Sequence, residues 1–356
     1  MTATPKTEAP GAAPGPTNPT LGEFGRIERF LRPLAAGCPG ALELTDDAAV
    51  LTVPPDCELV VTTDAMVAGI HFLPDDPPAD IAAKLLRVNL SDLAAMAAAP
   101  LAYTLVLSLP RTVDDDWLAT FCAGLQADQA RYGIALAGGD SVATHGPITL
   151  SVTALGLVRR GRALTRRVCV PAERIADQRV FITGTIGDAA LGLALVQGTL
   201  GPDTLGPDAV AALVARLRRP EPRLALGMAL RGLATAAIDV SDGLVADLGH
   251  IAGVTGCAAV IDCARLPLSG PARTLLARQP ALLAAMVSGG DDYELVFTAA
   301  AADRAAVAAL AAEHKVAITE IGWLEAAPAG RVEVLDAEGR SLALARRGWN
   351  HFAGTG

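Results

Sequence analysis

Thr62-Thr63-Asp64-Ala65-Met66-Val67-Ala68-Gly69-Ile70-His71 is the stretch from which the rest of the chain can be read. The apolar run Leu59-Val60-Val61 before it, with two β-branched valines, reads as a buried strand. At the end of that strand two hydroxyls and a carboxylate arrive together, followed by a glycine turn and a histidine. Oxygen donors crowded at a strand end suit a hard cation such as Mg²⁺, which takes carboxylate and water oxygens and not thiolate. Taken alone, Thr62, Thr63 and Asp64 are better explained as caps of the next element. The same device recurs along the chain, and the recurrence shifts the balance.

Upstream, Thr45-Asp46-Asp47-Ala48-Ala49-Val50-Leu51 places two adjacent acids ahead of a strand, which permits an antiparallel pair that brings them to Asp64. Downstream, a helix is expected from Asp80, as its cap, to Ala98. It contains Asn89-Leu90-Ser91-Asp92, and an acid inside such an apolar helix is unstable without a partner, so Asp92 is a site candidate. A strand over Leu101–Leu109 and a helix over Asp114–Tyr132 follow. Ile134 to Ser141 then reads as a strand ending in Gly138-Gly139-Asp140. Glycines there let backbone N–H groups approach a phosphate, and the acid can hold its metal. Ile148–Val158 completes a first domain.

The basic connector Gly161-Arg162-Ala163-Leu164-Thr165-Arg166-Arg167 marks a boundary, as solvated linker or as a source of phosphate-binding arginine. A strand over Arg179–Thr183 opens the second domain, and Gly184-Thr185-Ile186-Gly187-Asp188 matches neither the P-loop nor G-x-G-x-x-G. The strongest local signal is Ala237-Ile238-Asp239-Val240-Ser241-Asp242-Gly243-Leu244, followed by Asp247 and His250. Helix capping accounts for Ser241 or Asp242 but not for Asp239 at the strand end. Ser288-Gly289-Gly290-Asp291-Asp292-Tyr293-Glu294 repeats the Gly-Gly-Asp device, and the chain closes on Gly348-Trp349-Asn350-His351-Phe352. That aromatic end is either a core anchor or a surface that stacks on a planar ligand.

The organisation expected is a Pro/Ala-rich flexible tail over 1–20, a domain over 21–160 and an α/β domain over 161–356. Hydrophobic residues make up 51% of the 356 and charged ones 19%, which suits a compact fold. A net charge of −9 offers no basic face to nucleic acid or to an anionic membrane. The six cysteines lack C-x-x-C spacing, and no run suits a membrane span or a signal peptide, so a cytoplasmic protein with reduced thiols is expected. No Ser-His-Asp, Cys-His or zinc pattern is present. Gathered carboxylates are tolerable when cations neutralise them, and several Mg²⁺ ions beside glycine-rich turns imply a polyphosphate ligand.

Thr62–His71 with Phe72, Asn89–Met96, Gly138–Asp140, Gly161–Arg166, Ile238–Gly243 with Asp247–Ile251, and Ser288–Leu295 together resemble the thiamine-monophosphate kinase family, over roughly residues 21–352. The resemblance implies the two-domain α/β fold of the aminoimidazole-ribonucleotide synthetase superfamily, with N-terminal domains pairing strands in a homodimer. It implies Mg²⁺ ligation by Asp47, Thr63, Asp64, Asp92, Asp140, Asp239 and Asp242, with Thr62 close by. It gives Asp64 and Asp242 the catalytic burden. Gly139, Asp140, Arg166 and Ser241 would meet ATP, the co-substrate, and His71, Asp291 and Trp349 would meet thiamine monophosphate. Thr45, Ser141-Val142 and Asp291 depart from the family's usual glycine, threonine pair and glutamate.

The activity so implied is Mg²⁺-assisted, direct in-line transfer of a phosphoryl group from ATP to thiamine monophosphate. A phosphate-monoester acceptor is already anionic near neutral pH and needs no general base, so a site rich in aspartate without a catalytic His or Lys agrees with it. Two alternatives share these residues. One is a related ATP-dependent synthetase with another second substrate, separated by failure to turn over thiamine monophosphate. The other is a metal-dependent nucleotide-binding module, separated by binding without transfer.

Overall fold

The computed structural model describes residues 21–201 and 205–349. The tail expected over 1–20 and the end Asn350-His351-Phe352 lie outside them. The first helix is continuous but widened in the middle: α1 (Glu23–Arg26) and α2 (Arg32–Ala35) are joined by a π-helical turn, Ile27–Leu31, and the segment buries Phe30 and Leu34. Then come β1 (Cys57–Val67), α3 (Pro78–Ala95), β2 (Ala99–Pro110), α4 (Asp115–Tyr132), β3 (Leu136–Thr144) and β4 (Thr149–Arg159). These strands form one sheet in the order β1-β4-β2-β3, antiparallel except for the β2/β3 pair.

The second unit runs β5 (Gln178–Thr183), α5 (Asp188–Val196), α6 (Pro207–Arg218), α7 (Leu224–Ala229), β6 (Ala236–Asp239), α8 (Leu244–Thr255) and β7 (Ala258–Asp262). It continues with α9 (Gly270–Arg278), α10 (Leu282–Ser288), β8 (Leu295–Ala300), α11 (Arg304–His314), β9 (Ile318–Glu325) and β10 (Val332–Leu335). Its sheet has the order β10-β7-β9-β5-β8-β6, antiparallel except for β10/β7.

Local chemistry explains most boundaries. Asp114 caps α4 by accepting from the Trp117 N–H, and Gly133 ends it with φ 68°. β1 alternates, with Val60, Thr62, Asp64 and Met66 turned toward the core and Leu59, Val61, Thr63 and Ala65 outward. The expected strand after Asp46-Asp47 does not form: residues 45–56 are irregular, and β1 pairs with β4 instead. Pro54 and Pro55 can donate no ladder hydrogen bond, and the Val50 N–H turns back to Gly40 O, leaving both acids in water. Asp80 is not a cap either. The helix begins at Pro78, and the Asp80 carboxylate pairs with Arg219 beyond α6. The helix after Pro222 stops before Leu230, although the apolar run continues.

α3 is the centre of the molecule. It is buried from Asp80 to Ser91 and again from Leu93 to Ala95, with the first sheet on one side and the second unit on the other. One continuous core runs from Leu105 and Val152 through Leu86 and Leu90 to Phe181, Leu230 and Phe297, the last two aromatic rings stacked at 5.4 Å. Buried polar groups on such a helix must be satisfied. Four of them form a stripe at helical spacing: Asp80 meets Arg219, Lys84 meets Asp291, Arg87 donates to Pro220 O and to Asp128, and Ser91 donates to Asp239. Four positions on one helix thus hold the second unit in register.

Candidate active site

The inward face of β1 brings Thr62 and Asp64 against the C-terminal half of α3. Thr62 Oγ1 donates to Asp92 Oδ2 at 2.5 Å. One residue earlier, Ser91 Oγ donates to Asp239 Oδ2 at 2.6 Å, so the end of β6 is tied to α3 across the seam. Asp242 follows in the loop from β6 to α8. That loop is held by Asp247, whose Oδ2 accepts from the N–H groups of Ser241, Asp242 and Gly243 at 3.0, 3.1 and 3.1 Å. An acid in the first turn of a helix that reaches back to unsatisfied N–H groups is a capping device. Gly243 is required: its φ is 116°, and a Cβ there would lie 2.6 Å from Ser288 O. A Cβ on Gly290 would meet Ser241 O at 2.1 Å, so the two loops pack backbone against backbone.

Burial pushes these carboxyls up. Asp64 rises to about 7, first by desolvation, then by the charge and hydrogen-bonding of the adjacent Asp92, then by Asp242. Burial also raises Asp92, against the Thr62 hydrogen bond and the positive charge of Arg166. Asp239 lies well above the carboxylate range through burial and then Asp92. Asp247 rises to about 7 through burial and the charge of Asp242, against its three backbone donors. Among the described residues no three His, Cys, Asp or Glu side chains stand as a closed metal cage. The donors present are all oxygens, gathered in repelling pairs. They fit a hard cation that takes one or two carboxylates and fills its shell with water and phosphate oxygen.

Other expected site residues border the cluster. Arg166 is exposed yet near enough to act on Asp92. Ser241 O accepts from the Asp291 N–H at 2.9 Å, and Asp242 O accepts from the Trp349 N–H at 2.9 Å. Trp349 is 53% exposed, which rules out a core anchor. His71 Nδ1 accepts from the Val67 N–H at 3.0 Å. The structure does not gather the remaining four. Asp47 is exposed in the loop before β1. Thr63 faces outward, where Thr153 donates to it. Gly139 and Asp140 are on β3, at the opposite sheet edge from β1, three strand spacings or roughly 14 Å away along the sheet. A Cβ on Gly139 would meet Leu105 O at 1.9 Å, so strand packing accounts for that glycine.

Three participants escaped the motif reading. Ser91 was hidden beside Asp92 in its motif, and Tyr293 sits where Asp64, Asp92 and Asp239 all act on its hydroxyl. Lys84 donates to His71 O and to Asp291 Oδ2, both at 3.0 Å. A signal for it existed: only Lys6, Lys84 and Lys315 are lysines, and Lys84 interrupts an apolar helix.

The family of AIR synthase related proteins matches on both units, its N-terminal domain on residues 45–158 and its C-terminal domain on residues 176–335. Two sheets with acids gathered in the seam are thus an AIR synthase related architecture. The thiamine-monophosphate kinase of Caulobacter vibrioides is 44% identical over 97% of this chain and 94% of its own. The crystal structure of thiamine-monophosphate kinase from Stenotrophomonas maltophilia K279a has a TM-score of 0.78 at 42% identity, covering 91% of this chain and 98% of that one. A structure of AaThiL complexed with AMPPCP and TMP has a TM-score of 0.71 at 28% identity, covering 93% and 97%. The chain belongs to the thiamine-monophosphate kinase family.

The raised carboxyls carry a pH signature. A group whose pKa climbs from 3.8 in the unfolded chain to about 7 in the folded one keeps its proton longer when folded. Its contribution to stability is complete at low pH and is lost as the pH rises toward about 7. In chelator, Tm should therefore be lower at about pH 8 than at about pH 6, and a divalent cation should raise it more at the higher pH, where it displaces no proton. Asp64→Asn should shrink both effects. An equal cation effect at the two pH values, unchanged in Asp64→Asn, would contradict this assignment.

Proposed function

We propose that this protein transfers the γ-phosphoryl group of ATP to thiamine monophosphate, giving ADP and thiamine diphosphate. The observation that carries the reading is the convergence of Asp64 and Asp92 with Asp239 and Asp242 in the seam of a chain 44% identical to a thiamine-monophosphate kinase. The AaThiL structure with AMPPCP and TMP supports the same pair of substrates.

Asp64, Asp92, Asp239 and Asp242 would hold Mg²⁺, with Thr62 positioning Asp92 and Ser91 positioning Asp239. Bound Mg²⁺ supplies positive charge that offsets repulsion between two anions and stabilises the transferring group. The acceptor phosphate carries roughly −1.5 to −2 charge at neutral pH and is a competent nucleophile without a base. What the chain contributes is placement. Arg166 beside Asp92 is suited to an anionic oxygen, the 241–243 loop is fixed by Asp247, and the Trp349 ring at the rim is suited to stack on a planar heterocycle. His71 and Asp291, joined through Lys84, would face thiamine monophosphate. Asp47, Thr63, Gly139 and Asp140 keep a role only if the polyphosphate reaches beyond the cluster, toward the loop before β1 and the far edge of the first sheet.

Residues 21–160 would also carry the dimer contact. The outward face of the first sheet presents Val61, 57% exposed, and Val142, 46% exposed, with Leu59 and Val106, among Thr63, Thr104 and Thr153. An unpaired apolar sheet face of this kind is suited to a second copy. No helix among the described residues is long and apolar enough to cross a membrane, and the described cysteines are free thiols, in keeping with a cytoplasmic kinase.

With γ-labelled ATP the label should pass directly into thiamine diphosphate. Asp64→Asn and Asp242→Asn should each lower kcat about 100-fold or more with Tm near wild type. Label accumulating stably on the protein, or wild-type turnover in both variants, would overturn the scheme. Light scattering at micromolar concentration should give the mass of a dimer, and a fully active monomer would exclude the sheet-face contact.

A further inference from the structure

We propose that Lys84 is a positioning residue for the acceptor substrate: its buried ammonium fixes the loop carrying His71 against the loop carrying Asp291. This rests on the reading of those two loops as the acceptor end of the site. Lys84 is 5% exposed, and an ammonium withdrawn from water is strongly destabilising unless paired and hydrogen-bonded. Both conditions are met by residues from opposite sides of the seam. His71 O belongs to the turn after β1, and Asp291 Oδ2 belongs to the loop before β8. In a chain whose cations are nearly all arginine, a compact head with tetrahedrally arranged donors suits a narrow slot where a planar fork would not fit.

The Asp291 loop is one that needs holding. Asp291 and Tyr293 both adopt left-handed backbone, at φ 71° and 50°, although neither is glycine. Such residues persist where surrounding contacts over-determine them. Most ties come from the second unit itself. The Asp291 and Tyr293 N–H groups donate to Ser241 O and Val240 O, Arg216 donates to Asp292 O, and the Asp292 carboxylate accepts from Gly187 and Ala189. Lys84 supplies a tie from the first unit, and it joins this loop to the turn bearing His71.

The position along α3 gives the tie its consequence. Lys84 precedes Ser91 by seven residues, a rise of roughly 10 Å. The Ser91–Asp239 contact marks the acid end of the site and Lys84 marks the other. The two contacts together set how the loops bearing His71 and Asp291 stand relative to the acids.

The test compares Lys84→Met, Lys84→Arg and Asp291→Asn with wild type in the full chain. Lys84→Met should raise KM for thiamine monophosphate roughly 10- to 100-fold while KM for ATP changes little. Asp291→Asn, at a half-buried position that tolerates the change, should give the same split, and the double variant should be no worse than the poorer single. Lys84→Arg should rescue partly. Amide hydrogen exchange should quicken in residues 68–72 and 289–293 of Lys84→Met, whatever the substrate. Unchanged exchange there, or both KM values rising together with a fall in Tm, would overturn the positioning role. Wild type that turns over no thiamine monophosphate, with exchange quickened as expected, would instead count against the kinase reading.

Discussion

The buried hydrogen bond from Ser91 to Asp239 is the contact on which the rest depends. It joins the middle of the first unit to a strand end of the second, and the residue next to Ser91 is Asp92, already hydrogen-bonded to Thr62 on β1. Two neighbouring positions on one helix therefore collect acids from two different sheets. The helix can do this because the polar stripe from Asp80 to Ser91 is satisfied at every turn by the opposite unit. A helix that was apolar throughout would pack as well but would fix no register between the units. The site exists because the seam is polar where α3 crosses it.

That arrangement sets the electrostatic character of the site. Asp64, Asp92 and Asp239 are withdrawn from water beside one another, and burial holds each carboxyl above the usual carboxylate range, Asp64 reaching about 7. A protein assembled only for stability would avoid this, since each buried ion is destabilising by on the order of several kcal/mol unless compensated. On the proposed function the local cost makes sense as readiness for a cation, which would bring the missing positive charge on binding. Asp247 belongs to the same economy of design in a different way. It spends its acceptor capacity on three backbone N–H groups and so holds the loop bearing Asp242 rigid before any ligand arrives.

Much of this was legible in the residues. Strand-end acids, the Gly-Gly-Asp turns and the family resemblance led to Asp64, Asp92, Asp239, Asp242, Asp291 and Trp349, all of which border one seam. Periodicity also found β2, α4 and β4 within a few residues, whereas β1 runs on to Val67, so Thr62 and Asp64 lie inside the strand and not at its end, and Leu59 and Val61 are exposed. Sequence order misled where pairing is non-local. Asp46-Asp47 precedes β1 in the chain, but β1 takes β4 as its neighbour, some ninety residues later. Gly138-Gly139-Asp140 has the form of a phosphate turn, yet within one chain it occupies the far edge of the sheet, because strand order does not follow chain order. Lys84 and Ser91 were illegible for another reason. Their partners, Asp291 and Asp239, lie more than a hundred residues away, and only the docking of the second unit on α3 reveals them.

The account turns on cations being held between acids of the two units. The most direct measurement is a crystal of the full chain with Mn²⁺ in place of Mg²⁺, a non-hydrolysable ATP analogue and thiamine monophosphate, with anomalous scattering used to locate the metal. The account predicts anomalous peaks within bonding distance, about 2.0–2.2 Å, of carboxylate oxygens from Asp64 or Asp92 and from Asp239 or Asp242, with phosphate oxygens completing the shell. Metal bound away from these residues, with the Asp64–Asp92 pair unaltered beside an ordered nucleotide, would contradict it.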